Sequence, residues 1–350
     1  MGVKTEELKV KGYERVVHRQ CSSSGLNALI AIHSTALGPS CGGVRLLPYA
    51  THEEALQDVL RLARGMSYKS ALAGIGFGGG KSVIVRDPAQ KNKDLFHAMG
   101  EFVESLGGKY IAAKDMNIST EDLLRVRERT SHVLGIEGLP GSSGDPSPVT
   151  ARGLFRALEA TLEHLTGSHR MNGLRIALQG LGHVGFRLAE MAREAGAELI
   201  VTDIDKVAVE KAVKQLGAKA VAADAIYEVP CDIFSPCARG AVLNSETIPK
   251  LKCRAVVGAA NNQLATEEDG FRLWNRGILY APDFAVNAGG IINIFIEFEN
   301  GTYDPKKALA KTDGIFTALK EIFERSKQSN RPAFLVADEL AEERLSGGTR

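Results

Sequence analysis

The sequence predicts a two-domain α/β protein in which an N-terminal α/β domain is followed by a doubly wound parallel sheet, with a cleft between the domains. The 350 residues exceed the roughly 150 of a typical single domain. Glycine, proline and serine are concentrated from Gly138 to Pro148, which we interpret as an inter-domain hinge. Beyond it, short apolar segments alternate with helical patterns. We therefore expect domains over residues 1–140 and 141–331, with a C-terminal helix over residues 332–350 packing back on the first domain.

The first domain mixes strands and amphipathic helices, which favours a layered α/β arrangement. A capping box from Thr51 to Glu54 opens a helix, and its apolar face carries Leu56, Val59, Leu60 and Ala63. We also expect strands at Leu26 to Ile32, Val83 to Val85 and Tyr110 to Ala113, a helix from Leu95 to Leu106, and a helix capped by Ser119 with Asp122.

The second domain shows the regular alternation of strand and helix on which the parallel sheet depends. A helix near Ala151 to Leu165 comes first, and a charged helix follows Asn330-Arg331-Pro332. Between them we expect strands at Leu174 to Gln179, Glu198 to Asp203, Asp232 to Ser235, Ala255 to Gly258 and Ile278 to Tyr280, with helices at His183 to Ala195 and Asp205 to Leu216.

Composition and charge narrow the classes of partner. Lysine and arginine number 43 against 42 acidic residues, a formal net charge of +1, so we expect neither nucleic acid nor a membrane surface as partner. Five scattered cysteines predict neither a disulfide framework nor a zinc ribbon, and favour a reducing cytoplasm. No apolar leader is expected at the N-terminus, and no histidine spacing predicts a metal site. A small-molecule partner is therefore expected.

A glycine-rich turn in the second domain predicts a dinucleotide site. Gly180, Gly182 and Gly185 follow a predicted strand and open a predicted helix. In this Rossmann context the first glycine permits a tight turn, the second lets the backbone approach a pyrophosphate, and the third brings helix close to strand. His183 and Val184 complete the pattern at the N-terminus of the helix.

The next strand ends in an acidic residue, Asp203, at the spacing of about 20 residues that accompanies such turns. A carboxylate there would bind the ribose hydroxyls and repel a 2′-phosphate, so we expect NAD rather than NADP as cofactor. The alternative is that Asp203 only caps the following turn beside Asp205.

Two lysines lie in the first domain near glycine-rich segments. Lys81 follows Gly78-Gly-Gly80, but a phosphate-binding P-loop is excluded because Ile75 stands where that pattern requires glycine and a strand follows. Lys69 lies upstream of Lys81, at the end of the helix that the Thr51 capping box opens. Two ammonium groups in one cleft, partly buried, would lower the pKa of a lysine enough for it to act as a base. A solvated surface position is the alternative for either one.

Asp115 follows the strand from Tyr110 to Ala113 and precedes the helix capped by Ser119. Catalytic groups often occupy such positions because strand ends face clefts. A role as a loop or helix cap is the alternative.

Six short motifs carry a more specific signal. They are Gly42-Gly-Val-Arg45, Met66-Ser-Tyr-Lys69, Gly78-Gly-Gly-Lys81, Lys114-Asp115-Met-Asn117, Asn261-Asn-Gln263 and Asn287-Ala-Gly-Gly290. Together they resemble the glutamate/leucine/phenylalanine/valine dehydrogenase family, with most similarity to its leucine dehydrogenase branch. The resemblance extends from about Tyr13 to Arg344. It implies a substrate-binding and oligomerisation domain followed by an NAD-binding domain, and a homo-oligomer, such as a dimer or octamer.

The family reaction is the reversible, NAD-linked oxidative deamination of an L-amino acid to its 2-oxo acid and ammonia. The resemblance implies that Lys69 binds the substrate carboxylate, that Lys81 is the catalytic lysine that activates water, and that Asp115 transfers protons at the substrate nitrogen. It further implies substrate contacts at Gly42 and Asn262, and cofactor contacts at Thr150, Ala238 and Asn261.

The pattern around the substrate side chain favours an apolar amino acid. Glutamate-specific members are expected to carry lysine at the position of Cys41 and serine at that of Ile294, so glutamate is not expected. Cys41, Met66, Ile291 and Ile294 would line an apolar pocket that suits leucine, valine or isoleucine. Core packing is the alternative for the last three.

Two departures from the leucine-type pattern leave an alternative substrate open. Leucine dehydrogenases tend to carry leucine where this chain has Cys41, which implies a larger pocket. Lys114 and Asn117 replace the usual glutamate and glycine beside Asp115, as in members that act on aromatic amino acids. The alternative is therefore the same reaction on phenylalanine or tryptophan. A noncatalytic NAD-binding regulator is disfavoured because it would not need Lys69, Lys81 and Asp115 together.

Overall fold

Strands and helices alternate along nearly the whole chain, of which the computed structural model describes residues 2–347. The strands are β1 (Val3–Leu8), β2 (Arg15–Cys21), β3 (Leu26–Ser34), β4 (Ser40–Leu47), β5 (Gly78–Val85), β6 (Tyr110–Lys114), β7 (Arg175–Gln179), β8 (Glu198–Thr202), β9 (Lys219–Ala220), β10 (Ile233–Pro236), β11 (Ala255–Val256) and β12 (Leu279–Tyr280). The helices are α1 (His52–Ala73), α2 (Lys93–Glu104), α3 (Thr120–Arg127), α4 (Ser147–Thr166), α5 (His183–Glu194), α6 (Lys206–Leu216), α7 (Glu267–Asn275), α8 (Asp283–Val286), α9 (Gly289–Asn300), α10 (Pro305–Lys311), α11 (Asp313–Ser329) and α12 (Ala333–Gly347).

The chain divides into two units. Within the described residues, the first unit holds residues 2–145, 293–305 and 341–347, and the second holds 146–292 and 306–340. The division falls inside the segment that we interpreted as a hinge. It differs from the expected domains because residues 293–305 lie in the first unit and because α12 is shared between the units. Residues 348–350 of the predicted C-terminal helix lie outside the described part of the chain.

The first unit is built on a mixed six-stranded sheet with the order β1-β2-β3-β5-β4-β6. The four strands β1, β2, β3 and β5 pair antiparallel, whereas β4 pairs parallel with both β5 and β6. Successive residues of β3 face opposite sides of the sheet. Leu29 packs with Val59 of α1 on one side, and Ile30 packs with Phe102 of α2 on the other. A helical layer therefore covers each face.

The glycine run of the first unit belongs to a strand, since β5 begins at Gly78. A side chain at Gly79 would collide with the backbone of Ser67 on α1, and one at Gly80 would come within 2.8 Å of Ser40 and Tyr110. The close approach that the glycines predicted is thus made by neighbouring elements of the fold. It lets α1 lie directly on the sheet.

Helix ends follow the predicted capping chemistry with one difference. Thr51 accepts the N–H of Glu54 at 3.1 Å, but the Glu54 carboxylate accepts from the N–H of Ala50 at 3.0 Å, so only half of the predicted capping box forms. At α3 the reciprocal box between Ser119 and Asp122 is complete. This box fixes the loop that leaves β6.

The second unit has a six-stranded, wholly parallel sheet with the order β12-β11-β10-β7-β8-β9. The chain winds outward from β7 in one direction and then from β10 in the other, which is the doubly wound topology predicted. Ala177, Phe234 and Val256 from three central strands join one apolar core. The two-domain α/β fold class is therefore confirmed.

Among residues 2–347, no helix combines the length and the apolar character that crossing a bilayer would require.

Candidate active site

Lys81 and Asp115 meet beside the middle of β4, next to Gly43, in the first unit. Lys81 lies on β5 and Asp115 directly follows β6, and both strands pair with β4. The Nζ atom of Lys81 is 2.5 Å from Oδ2 of Asp115, and the lysine side chain is only 7% exposed. Arg45, on β4 itself, donates from Nε to the same Oδ2 at 3.0 Å. Sheet pairing thus brings together groups that are distant in the sequence.

The electrostatics of this cluster shift both partners of the ion pair. Burial lowers the pKa of Lys81, the positive charge of Arg45 adds to this, and the Asp115 carboxylate opposes it. Burial alone would raise the pKa of Asp115, but Lys81 and Arg45 outweigh burial and hold this pKa below its usual value. The cluster therefore holds an ionised carboxylate against a lysine that releases its proton more readily than one in water.

The guanidinium of Arg45 has a second partner that the sequence analysis missed. Its Nη1 donates to Oδ2 of Asp58 on α1 at 3.0 Å, and the hydroxyl of Tyr49 donates to the same oxygen at 2.7 Å. Arg61 binds the other oxygen of Asp58 at 3.0 Å. The available signal was the position of Asp58 next to Val59, beside the buried stripe of an amphipathic helix.

Glycines in β4 leave the room in which this cluster forms. A side chain on Gly42 would collide with the carbonyl of Gly80. A Cβ on Gly43 would stand 2.6 Å from Cβ of Asp115 and 3.2 Å from Nζ of Lys81. Gly42, predicted as a substrate contact, is itself buried within the sheet. Gly43 is a second position that the sequence analysis did not single out.

The remaining predicted substrate residues of the first unit lie on three elements. Met66 and Lys69 are half-buried and one turn apart near the C-terminus of α1, so they share a face of that helix. Cys41 on β4 is fully buried, and burial raises the pKa of its thiol to about 12. Ile294 on α9 is half-buried, with side-chain atoms 3.4 Å from where a Cβ of Gly135 would stand.

Glu297, one turn beyond Ile294 on α9, is a buried carboxylate that the sequence analysis missed. Its Oε2 accepts from the N–H of Gly135 at 3.0 Å and from the N–H and hydroxyl of Ser143 at 2.8 and 2.7 Å. The hydroxyl of Ser142 adds a bond of 3.1 Å. These bonds tie the middle of the predicted hinge segment, and Gly135 just before it, to α9 beside Ile294.

In the second unit the predicted dinucleotide turn connects β7 to α5. Gly180 has φ +104°, and a Cβ there would be 2.8 Å from the N–H nitrogen of Ala238, so these two predicted residues adjoin. A side chain on Gly185 would collide with the carbonyl of Gly180, which explains the third glycine. Gly182 caps α5 without any side-chain hydrogen bond to the first turn, where His183 and Val184 lie.

Asp203 lies just beyond β8 and binds the same turn. Its Oδ2 accepts from the N–H of Leu181 at 2.5 Å, and its Oδ1 accepts from the N–H of Asp205 at 2.8 Å. The carboxylate therefore both contacts the glycine turn and caps the following residues. A helix N-terminus whose N–H groups have no side-chain cap, with an acid at the next strand end, fits the phosphates and ribose of a dinucleotide.

The other predicted contacts of the second unit lie on neighbouring loops. A side chain on Gly240 would come within 2.6 Å of the carbonyl of Asn261, so the loops that carry Ala238 and Asn261 adjoin. Asn287 donates to Oδ1 of Asn261 at 2.9 Å and thereby orients its amide. Asn262 is exposed in a left-handed conformation, with φ +51°.

Thr150 and Ile291 lie in the second unit as well. Thr150 is half-buried on α4, and a side chain on Gly289 would collide with its backbone, so α4 and the start of α9 are in close contact. Ile291, in the same first turn of α9, is 5% exposed. Within residues 2–347, no group of three histidine, cysteine or acidic side chains is arranged to hold a metal ion.

Comparisons with known proteins agree with this architecture. The family model for the Glu/Leu/Phe/Val dehydrogenase dimerisation domain matches residues 13–132, and the Glutamate/Leucine/Phenylalanine/Valine dehydrogenase model matches residues 201–338. Leucine dehydrogenase from Thermoactinomyces intermedius is 47% identical, covering 95% of this chain and 91% of that protein. Phenylalanine dehydrogenase from Bacillus thermotolerans is 43% identical, covering 96% and 89%.

A solved structure extends the likeness to three dimensions. The crystal structure of L-tryptophan dehydrogenase from Nostoc punctiforme superimposes with a TM-score of 0.88 at 40% sequence identity, covering 97% of each chain. The resemblance found in the sequence motifs is thereby confirmed. The chain belongs to the glutamate/leucine/phenylalanine/valine dehydrogenase family, and it is an amino acid dehydrogenase.

Proposed function

We propose that this enzyme catalyses the reversible, NAD-dependent oxidative deamination of a branched-chain L-amino acid, such as leucine, valine or isoleucine, to the 2-oxo acid and ammonia. The observation that carries the proposal is the buried contact of 2.5 Å between Lys81 and Asp115. An amine and a carboxylate in direct contact supply the two proton carriers that this reaction needs. The identity of 47% to a leucine dehydrogenase supports the substrate class.

The chemistry that a bound pyridine nucleotide supplies is acceptance of a hydride from Cα of the amino acid. In the proposed mechanism Lys69 binds the substrate carboxylate through its ammonium group. Lys81 accepts a proton from the water that attacks the substrate iminium carbon. Asp115 takes up and returns protons at the substrate nitrogen. The lowered pKa of Lys81 supports its role as a base.

Dehydrogenases of this family depend on a pyridine nucleotide, and NAD is the one proposed here. The residues that would hold it are Gly180, Gly182 and Gly185 at the pyrophosphate, with His183 and Val184 beside them, Asp203 at the ribose, and Thr150, Ala238 and Asn261 toward the nicotinamide. The Asp203 carboxylate, bonded to the N–H of Leu181 at 2.5 Å, would repel a 2′-phosphate. Its position beyond β8, bonded to the glycine turn, supports NAD over NADP.

The apolar character of the residues proposed to contact the substrate side chain supports an aliphatic substrate. Cys41, Met66, Ile291 and Ile294 are proposed to form the pocket wall, with Gly42 and Asn262 contacting the substrate. A cysteine at position 41 carries no positive charge to bind the side-chain carboxylate of glutamate, and burial, which raises its pKa to about 12, keeps it neutral. An aromatic substrate is the second candidate, favoured by the TM-score of 0.88 with a tryptophan dehydrogenase. Homo-oligomerisation through the first unit is also proposed, in line with the matching dimerisation-domain model.

Initial rates with a panel of amino acids test the substrate and the cofactor. Leucine, valine, isoleucine, phenylalanine, tryptophan and glutamate are offered separately, each with NAD and with NADP. We expect the highest kcat/KM for a branched-chain substrate with NAD. A higher value for phenylalanine or tryptophan would replace the substrate assignment by the aromatic alternative, and equal use of NADP would contradict the role of Asp203.

A variant pair tests the role of Lys81. Lys81→Ala should lower kcat by about 10³-fold or more, because the proposed base is lost, while NADH binding measured by fluorescence stays within about twofold of wild type. The exposed Lys109 provides the matched control, and Lys109→Ala should keep wild-type kcat. Near-wild-type turnover by Lys81→Ala would remove Lys81 from the mechanism.

A further inference from the structure

We propose that Arg45 is a positioning residue for proton transfer: braced by Asp58 and Tyr49, its guanidinium fixes the Asp115 carboxylate against Lys81. This inference rests on the proposed roles of Lys81 and Asp115. It extends them because it gives a function to three residues that make no part of the proposed substrate or cofactor contacts.

The geometry at Asp115 supports a positioning role. Lys81 Nζ at 2.5 Å and Arg45 Nε at 3.0 Å both bind Oδ2 of Asp115. With two donors from different strands on one oxygen, the carboxylate cannot rotate without losing one of them. Arg45 therefore holds the carboxylate at an angle that Lys81 alone would leave free.

The guanidinium is itself held at its other end. Arg45 Nη1 binds Oδ2 of Asp58 at 3.0 Å, and the arginine and aspartate side chains are each only 16% exposed. Tyr49 donates to that same oxygen at 2.7 Å. A planar group with donors on two edges can serve both carboxylates at once, whereas a lysine offers one nitrogen at one point. The run Tyr49, Asp58, Arg45, Asp115 is a continuous chain of hydrogen bonds.

The charges of this chain also act on the reacting pair. Arg45 lowers the pKa of both Lys81 and Asp115, and Asp58 raises the pKa of Lys81. Burial raises the pKa of the Cys41 thiol on β4, of the Tyr49 hydroxyl and of the Tyr110 hydroxyl on β6, so these groups are neutral. Of the basic groups on neighbouring elements, Lys69 on α1 is half-buried, Lys114 is exposed and the side chain of Arg61 on α1 is 60% exposed.

Because the charges act in known directions, pH profiles separate positioning from general stability. Loss of the positive charge in Arg45→Gln should move the apparent pKa values of the coupled Lys81–Asp115 pair upward, by about one pH unit. Asp58→Asn should move the value governed by Lys81 downward. Arg45→Lys keeps the positive charge but loses the planar group with donors on two edges. Its pH profile should therefore stay near that of wild type, while kcat falls by about tenfold or more. KM should change little.

The profiles of kcat are measured with whichever amino acid and coenzyme the wild-type enzyme uses best, so an error in the proposed substrate does not affect the result. Arg61→Gln is the matched control, since it removes an arginine from Asp58 without touching Asp115, and its pH profile should coincide with that of wild type.

Thermal midpoints report whether each variant folds. If Arg45→Gln fails to fold, Asp58→Asn and Arg45→Lys decide. Unmoved profiles in the folded variants, or an equal shift in Arg61→Gln, would overturn the inference. If the proposed proton-transfer roles of Lys81 and Asp115 were themselves wrong, Lys81→Ala would instead keep an unaltered kcat.

Discussion

Replacing Gly43 by alanine would press a single methyl group into the Lys81–Asp115 pair. The new Cβ would lie 2.6 Å from Cβ of Asp115 and 2.9 Å from the carbonyl oxygen of Lys114, whereas ordinary contact begins near 3.4 Å. The shortfall is thus about 0.8 Å, and neither atom is the tip of a flexible side chain. Asp115 or its strand must therefore move by most of an ångström.

A displacement of about 1 Å in a catalytic group costs about 10²-fold in rate, and overpacking of this kind costs about 1 to 3 kcal/mol of stability. We expect Gly43→Ala to lower kcat by about that factor in initial-rate assays and to reduce the free energy of unfolding in denaturant. Gly65→Ala is the control, because nothing lies within 4 Å of its Cβ in the middle of α1; it should keep kcat and add about 0.5 to 1 kcal/mol of stability. A folded Gly43→Ala enzyme with wild-type kcat would refute the reasoning.

Three further outcomes are expected. Asp203→Ser should raise the ratio of kcat/KM with NADP to kcat/KM with NAD by about tenfold or more, because it removes the repulsion between the carboxylate and the 2′-phosphate. The control Asp205→Ser, at the cap of α6, should leave this ratio unchanged. An unchanged ratio in Asp203→Ser would count against the ribose assignment. Glu297→Gln should lower the free energy of unfolding in denaturant by about 1 to 3 kcal/mol, because four donors converge on Oε2 of Glu297. Glu299→Gln, at an exposed position, should leave this free energy unchanged. Equal stabilities of the two variants would contradict the reasoning. Hydrogen bonds from neighbouring serines lower the pKa of Cys21 to about 7. Alkylation of Cys21 by iodoacetamide, followed by peptide mass spectrometry, should therefore be about tenfold slower one pH unit below that pKa than one unit above it. An alkylation rate that does not change with pH would argue against the lowered pKa.

The sequence predicted those parts of the molecule that depend on local chemistry. The Gly180 turn, the strand before it and Asp203 lie within one supersecondary unit, where spacing along the chain determines spacing in space. The cap of α3 by Ser119 was predictable for the same reason. Short-range patterns thus captured the parallel sheet and its turn.

The parts that could not be predicted depend on pairing between distant segments. Lys81 and Asp115 meet only because β5 and β6 both pair with β4, and no local pattern specifies that order. In the sequence, Asp58 cannot be distinguished from the exposed acidic residues of α1. Its role depends on Arg45, which only the folded structure brings opposite it. The glycines before Lys81 signalled a close approach, but only the packed structure identifies Ser67 of α1 as the partner.

The order of segments in the first unit has a consequence for dissecting the enzyme. The second unit is inserted into the sequence of the first, which resumes at Asn293–Pro305 and again at Ala341. Phe295 from the first returning segment lies 5.3 Å, ring to ring, from Phe77, and Arg344 from the second donates to the carbonyl of Ala71 at 3.1 Å. A recombinant fragment that stopped at Asp145 would leave these surfaces bare. The first unit is therefore complete only after residues 341–347 have been synthesised, well after the whole of its main sheet.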